Sequence, residues 1–155
     1  MRIGFGFDAH VLEEGKVLKL GGEIIEYPRG LRGHSDGDVV LHSLSDAILG
    51  ACAGGDIGLF FRDDDKKIEG IDSKRILAFA LEAALKSKLR VVNIDIVIVA
   101  DQPKLSGFYV KIQTSVSQQC NVSATAVSVK AKTTEGTLVG KDSMACFAVV
   151  LMEEA

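Results

Sequence analysis

The residues that could do chemistry crowd into the first third of the chain. Asp8-Ala9-His10, His34-Ser35-Asp36-Gly37-Asp38 and His42 account for all three histidines of the sequence. In a strand, side chains two apart share a face, so Asp8 and His10 point together. That face also carries Gly4 and Gly6, while Ile3, Phe5 and Phe7 on the opposite face read as core. His42 falls in a helical run four residues after Asp38. Taken singly, these residues read as a turn cap, a surface histidine and a core histidine. Together, one carboxylate and two imidazoles describe a tetrahedral metal site with one position open, the mark of a catalytic metal. The nitrogen-rich set suits zinc. Asp46, one turn beyond His42, is placed to orient its imidazole from behind.

Three further clusters carry weaker signals. His34-Ser35 precedes the helix expected near Asp38, where free N–H groups can bind phosphate; ordinary capping by Ser35 or Asp36 is the plain alternative. Lys130-Ala131-Lys132-Thr133-Thr134-Glu135 ends a strand with lysines, hydroxyls and a carboxylate, which suits phosphate and metal contact as well as a solvated strand end. Asp56-Ile57-Gly58 and Ala100-Asp101-Gln102-Pro103-Lys104 are equally ambiguous alone. Gly4 to Ala9 lacks the third glycine of a dinucleotide fingerprint. Gly136 to Asp142 has the wrong glycine spacing for a phosphate-binding loop.

The elements that must position these groups follow from periodicity. Residues 2–10 alternate as a strand. Val17 to Tyr27 reads as a hairpin turned at Gly21-Gly22. Asp38 to Ala53 has helical spacing at Val40, Leu41, Leu44, Ile48 and Ala51, ended by Gly54-Gly55. Residues 56–72 read as an irregular acidic loop. A second helix, capped by Asp72 or Ser73, reaches Ser87 with Ile76, Leu77, Ala80, Ala84 and Leu85 inward. Val91 to Val99 is a strand, Pro103 marks a turn, and Leu105 to Cys120 is a third helix. Val127 to Lys132 and Ser143 to Met152 are the last strands. The pattern predicts one α/β domain over residues 1–155, in two layers: one mixed sheet, helices on one face, plus a small hairpin.

Composition narrows the function classes. The formal net charge is −3 over 155 residues, which argues against a nucleic-acid surface. The chain is 47% hydrophobic, with mean hydropathy +0.23, which points to some surface buried between subunits. The longest apolar run, Met144 to Met152, is about half of the ~20 residues a membrane span needs. No leader peptide is visible, and three scattered cysteines fit a reducing compartment, most simply bacterial cytoplasm.

In order and spacing, these blocks resemble the 2-C-methyl-D-erythritol 2,4-cyclodiphosphate synthase family of the non-mevalonate isoprenoid pathway. The matching blocks are G-x-G-x-D-x-H at Gly4 to His10, H-S-D-G-D-V at His34 to Val39, His42, G-D-I-G at Gly55 to Gly58, Phe61 to Asp65, Asp72-Ser73, Pro103-Lys104 and Lys130 to Glu135. The resemblance spans essentially the whole chain. It implies a phosphorus–oxygen lyase that cyclises 4-diphosphocytidyl-2-C-methyl-D-erythritol 2-phosphate and releases CMP. It implies zinc on Asp8, His10 and His42, and a second divalent cation, Mg2+ or Mn2+, contacting Glu135. His34 and Thr133 would stabilise the transition state, with Ser35 positioning the diphosphate. Asp56, Ile57 and Gly58 would meet the polyol, and Phe61, Arg62, Asp63, Asp64 and Asp65 would close over the methylerythritol phosphate. The cytidine pocket would come from Ala100, Asp101, Gln102, Pro103, Lys104, Leu105 and Ser106, with Ala131, Lys132, Thr133 and Thr134. A homotrimer with active sites shared between neighbours is also implied. The chain departs from the family after Glu135, where the run to Ser143 is one residue short. Lys141 stands near the usual Arg and lacks its bidentate fork. Two other readings use the same residues: a zinc-dependent phosphoester hydrolase that activates water, and a metal-stabilised trimeric binding module without turnover. Neither requires the block around Lys104 or the run Lys132 to Glu135.

Overall fold

β1 (Arg2–Glu14) is longer than the clean alternation of its first nine residues predicts, because its far end gains a second partner. Residues Leu12 to Glu14 pair with β4 (Arg29–Leu31). The computed structural model describes residues 1–62, 70–137 and 140–155. Its five-stranded sheet has the order β4-β1-β7-β5-β6, with β5 (Leu89–Val99), β6 (Val127–Lys132) and β7 (Ser143–Glu154). Only the β5–β6 pairing is parallel, which makes the sheet mixed. β2 (Leu18–Leu20) and β3 (Glu23–Ile25) form the separate hairpin expected around Gly21-Gly22. Both turn glycines are left-handed, at φ 65° and 82°, as a two-residue hairpin turn requires.

The helices α1 (Val39–Ala51), α2 (Ser73–Lys86) and α3 (Tyr109–Gln119) cover one face of the sheet. α1 is the central one and is buried nearly all round. Its serines do not break the apolar surround, because they fold back on their own backbone: Ser43 donates to the Val40 carbonyl and Ser45 to that of Leu41. The N-cap is Asp38, not Ser35 or Asp36. The Asp38 carboxylate is fully buried and accepts the N–H groups of Val40 and Leu41, and also those of Gly21 and Gly22. One side chain therefore starts the helix and docks the hairpin on it. At the other end the left-handed residue is Ala53, ahead of the expected Gly54. α3 starts at Tyr109, after a single tighter turn over Ser106–Phe108.

Two expectations about burial fail. Leu85 is 64% exposed: one residue past Ala84, which stays buried, it turns about 100° around α2 and off the inward face. More consequentially, Ile3, Phe5 and Phe7 are exposed on the open face of the sheet, at 72%, 62% and 48%. The buried face of β1 is the glycine face. A Cβ on Gly4 would lie 1.7 Å from the Ala47 carbonyl oxygen, and one on Gly6 would lie 1.9 Å from that of Ser43. α1 packs directly on the β1 backbone, a closeness that only glycine permits.

Candidate metal centre and substrate pocket

The close packing of α1 on β1 delivers His42 to Asp8 and His10. Asp8 Oδ2 lies 3.0 Å from His10 Nε2 and 2.8 Å from His42 Nδ1, and the two ring nitrogens are 3.5 Å apart. A tetrahedral ion with bonds of about 2.0–2.1 Å holds its ligand atoms about 3.3–3.4 Å apart. The three atoms therefore need shifts of only about half an ångström to seat one, and the donor set fits a first-row divalent cation. Asp8, His10 and His42 are the one such group among the described residues. Burial raises the pKa of Asp8, but the hydrogen bonds and charge of the two imidazoles outweigh it and hold Asp8 well below the usual carboxylate range. His42 is buried, which lowers its pKa, yet Asp8 turns the balance upward.

The partner behind His42 is not Asp46. His42 Nε2 lies 3.0 Å from Ser35 Oγ and 2.9 Å from Ser73 Oγ. Asp46 instead accepts the Ile57 N–H at 2.8 Å. That bond pins the short turn Ile57–Leu59, which Asp56 caps through the Leu59 N–H at 3.2 Å. Burial of Asp46, with Asp56 and Asp8 nearby, raises its pKa.

The metal group forms one wall of a cavity of about 550 Å³. Of the expected substrate residues, His34, Ser35, Ile57, Gly58 and Phe61 line it. Phe61 packs edge-on against Phe79 at 5.3 Å. Arg62 is exposed at the end of this stretch. Asp63, Asp64 and Asp65 lie outside the described residues. Sequence reasoning missed Arg32, a guanidinium in the cavity lining, along with Ile71 and Ile76. It also missed Ser73 as a partner of His42, since nothing in a helix-capping pattern marks the serine for a histidine 31 residues away.

The other expected cluster assembles at the ends of β5 and β6. Thr134 is buried and donates its N–H and its hydroxyl to the two oxygens of Asp101, both at 2.8 Å. The Ala100 N–H donates to the Lys132 carbonyl, and the Ala131 N–H to the Tyr109 hydroxyl. These bonds join Ala100 to Ser106 with Ala131 to Glu135 in one surface, which includes the cis peptide Gln102-Pro103. Leu105 is buried beneath it, while Gln102, Lys104, Ser106, Lys132, Thr133 and Glu135 face out. The Thr133 hydroxyl donates to Glu135, whose backbone is left-handed at φ 49°. Further on, Leu138 and Val139 lie outside the described residues, Lys141 is exposed, and Asp142 accepts from Arg29 at 3.0 Å.

The two clusters sit at the same end of the sheet but do not meet. Ala9 pairs with Ala145, Ala145 with Val99 and Val99 with Lys132. At ~4.8 Å per strand, three steps place them roughly 14 Å apart within one protomer.

Comparison with known proteins decides the family. The sequence profile of the YgbB family matches residues 1–153. A 2-C-methyl-D-erythritol 2,4-cyclodiphosphate synthase from Pelotomaculum thermopropionicum is 46% identical over 156 residues, covering 99% of this chain and 96% of that protein. The chain belongs to the YgbB family. Another member so named, from Geobacter metallireducens, is 44% identical over 99% of both chains. Among solved structures, a 2C-methyl-D-erythritol-2,4-cyclodiphosphate synthase in a CDP-bound form superposes with a TM-score of 0.91 at 36% identity. It covers 98% of this chain and 100% of its own. The bifunctional IspDF of Campylobacter jejuni gives 0.94 at 36% identity, over 99% of this chain and 42% of that longer one. The resemblance to the 2-C-methyl-D-erythritol 2,4-cyclodiphosphate synthase family read from the motifs and the two-layer mixed-sheet architecture thus both hold.

Proposed function

We propose that this protein converts 4-diphosphocytidyl-2-C-methyl-D-erythritol 2-phosphate into 2-C-methyl-D-erythritol 2,4-cyclodiphosphate and CMP, as a homotrimer in the bacterial cytoplasm. The observation that carries this reading is the convergence of Asp8, His10 and His42 on the cavity wall, in a chain alike along its whole length to proteins named for that synthase. An oxygen of the 2-phosphate attacks the β-phosphorus. The bond from that phosphorus to the bridging oxygen breaks, and CMP leaves with the oxygen. A phosphate monoester is largely ionised at neutral pH, so the protein's task is charge and geometry more than proton removal.

Asp8, His10 and His42 would hold zinc, and Glu135 would contact Mg2+ or Mn2+. Bound there, the two ions would polarise the β-phosphate and neutralise the leaving group. His34, Ser35 and Thr133 then orient the diphosphate and stabilise charge as it develops. The pinned Asp56-Ile57-Gly58 turn meets the polyol, and Phe61 to Asp65 cover the methylerythritol phosphate and exclude water. Ala100 to Ser106 and Ala131 to Thr134 take the cytidine. An acidic chain can manage a polyanion in this way because its carboxylates hold the cations that bind it.

The trimer is supported by two features. The metal group and the Lys132–Glu135 block stand roughly 14 Å apart within one protomer, at ~4.8 Å per strand, a separation that fits a site in which a neighbour supplies the block. The open face of the sheet also presents Ile3, Phe5 and Phe7 to solvent, with Phe147 packed 4.9 Å from Phe7, an apolar surface of the kind subunits cover.

Phosphorus NMR of the protein incubated with the cytidine diphosphate substrate, Zn2+ and Mg2+ tests the reading. Cyclic diphosphate signals with equimolar CMP are expected. Linear phosphate products would indicate a hydrolase, and an unchanged spectrum from folded, metal-loaded protein would refute catalysis.

A further inference from the structure

Ser73 and Asp36 stand behind His42 in an arrangement that fixes where the imidazole proton goes. We propose that Ser73, backed by Asp36, is a positioning residue that holds the Nε2–H of His42 and so directs Nδ1 to the metal. This rests on the metal reading of Asp8, His10 and His42.

The argument is a count of hydrogens. Ser73 is the first residue of α2 and is fully buried. Its one hydroxyl hydrogen has two neighbours, Asp36 Oδ1 in a short contact and His42 Nε2 at 2.9 Å. Asp36 is the stronger claimant. Lys19 Nζ lies 2.9 Å from its other oxygen, the Ser73 N–H also donates to it, and an ionised carboxylate only accepts. The hydroxyl hydrogen therefore goes to Asp36, and a lone pair of Ser73 Oγ faces Nε2. Nε2 must then donate. Nδ1 faces Asp8 Oδ2 at 2.8 Å, and with Nε2–H held by Ser73 it is the nitrogen whose lone pair a cation seated between Asp8 and His10 would take up in place of a proton.

Ser35 does not replace Ser73 in this role. Its Oγ also lies near Nε2, but it accepts the Gly37 N–H, and among the described residues no carboxylate contact orients its hydrogen. Ser35 lines the cavity and Ser73 does not. With Nε2–H directed to Ser73, the Ser35 hydroxyl is left to donate into the pocket. The rest of the loop is stitched to the start of α2 by backbone bonds, Asp36 N–H to the Ile71 carbonyl and Gly70 N–H to that of His34. The relay therefore also ties the His34-Ser35 loop to the metal ligand.

Zinc affinity of the full-length protein, measured by competition with a chromophoric chelator, tests the proposal in wild type, Ser73→Ala, Ser73→Thr and Asp36→Asn. Ser73→Ala should weaken zinc binding about 10–100-fold, the usual loss when a ligand histidine's outer partner is removed. Ser73→Thr, which keeps the hydroxyl, should restore it. Asp36→Asn should weaken binding less than Ser73→Ala. Long-range proton–nitrogen NMR of the zinc-loaded wild type should show a solvent-protected His42 Nε2–H, lost in Ser73→Ala and regained in Ser73→Thr; a merely structural serine would not produce that pattern. Unchanged affinity and an unchanged Nε2–H signal in Ser73→Ala would overturn the proposal while leaving the metal site standing. Should Ser73→Ala not fold, unchanged affinity in Asp36→Asn overturns it equally. A wild-type protein that binds no zinc would remove the metal reading, and this one with it.

Discussion

Gly6→Ala places one methyl group where it should dismantle the metal centre without touching a ligand. A Cβ at Gly6 would meet the Ser43 carbonyl oxygen at 1.9 Å and the Ala47 nitrogen at 2.7 Å, both backbone atoms that cannot rotate away. Restoring ordinary contact requires α1 to retreat from β1 by about 1 Å or more. Ser43 is adjacent to His42, so the retreat moves the imidazole with it, while Asp8 and His10 stay on β1. Metal sites tolerate distance errors of about 0.2 Å, so a shift of about 1 Å opens the triad. Overpacking costs about 1–3 kcal/mol, which in a chain of this size lowers the melting temperature by roughly 2–12 °C.

The assay is thermal unfolding of Gly6→Ala and wild type, each with zinc and with excess chelator. Wild type should melt lower with chelator. Gly6→Ala should melt low in both and gain nothing from zinc. Gly50→Ala is the control on the same helix: its added Cβ has no neighbour closer than 3.9 Å, and it should be neutral or stabilising by up to about 1 kcal/mol. A Gly6→Ala protein with the full zinc-induced rise in melting temperature would refute the claim that glycine packing sets the ligand geometry.

Other perturbations separate the roles assigned above. His42→Ala should abolish turnover and leave the proposed trimer intact in sedimentation velocity; near-normal turnover would make the metal assignment wrong. Asp56→Ala should raise KM with zinc content unchanged by elemental analysis, because Asp56 caps the Ile57–Leu59 turn and is not among the metal ligands; zinc loss would move it into the metal site. Asp38→Ala removes a helix cap worth about 1 kcal/mol and orphans the buried Gly21 N–H at about 1–3 kcal/mol, so urea unfolding should show a loss of about 2–4 kcal/mol, and a loss under about 1 kcal/mol would contradict its double role. Burial pushes the thiols of Cys120 and Cys146 up to about 12, so at pH 8 only about one molecule in ten thousand carries the thiolate. Cys52, partly exposed, should be the single fast-reacting thiol of the native protein towards a disulfide reagent, and a second fast thiol would be inconsistent with the packing.

Much of the site was legible because its spacing follows backbone periods. Asp8 and His10 share a face because strands repeat every two residues, and the histidine four beyond Asp38 falls on a helix whose apolar stripe is plain. The Gly21-Gly22 turn was equally direct, and of the two cap residues the sequence offers for α2, Asp72 and Ser73, the cap is Asp72. What sequence reasoning missed has definite physical causes. Asp46 was assigned to His42 by proximity along one helix, but the ring reaches across to α2, and no sequence period reports a contact between elements. Leu85 stands one residue, about 100° of helical rotation, past buried Ala84 and so turns off the inward stripe. The roughly 14 Å between the metal group and the Lys132–Glu135 block depends on strand order, and adjacency in a mixed sheet is not written in chain order. The largest miss was the buried face of β1, where large apolar residues outranked glycines.

That miss shows how β1 does its work. Its register is held less by burial of large side chains than by their exclusion. Successive residues face opposite sides of the sheet, so a slip of one position would bring Phe5 or Phe7 beneath α1, where even a methyl group is refused at 1.9 Å. The glycines thus admit only the register in which Asp8 and His10 meet His42. The same alternation sends Ile3, Phe5 and Phe7 outward as a continuous apolar ridge. A strand that seats a helix backbone to backbone on one face and carries large apolar side chains on the other has to divide its residues in this way. Asp8 and His10 inherit their direction from the division, since they continue the glycine side of the strand to the edge of the cavity.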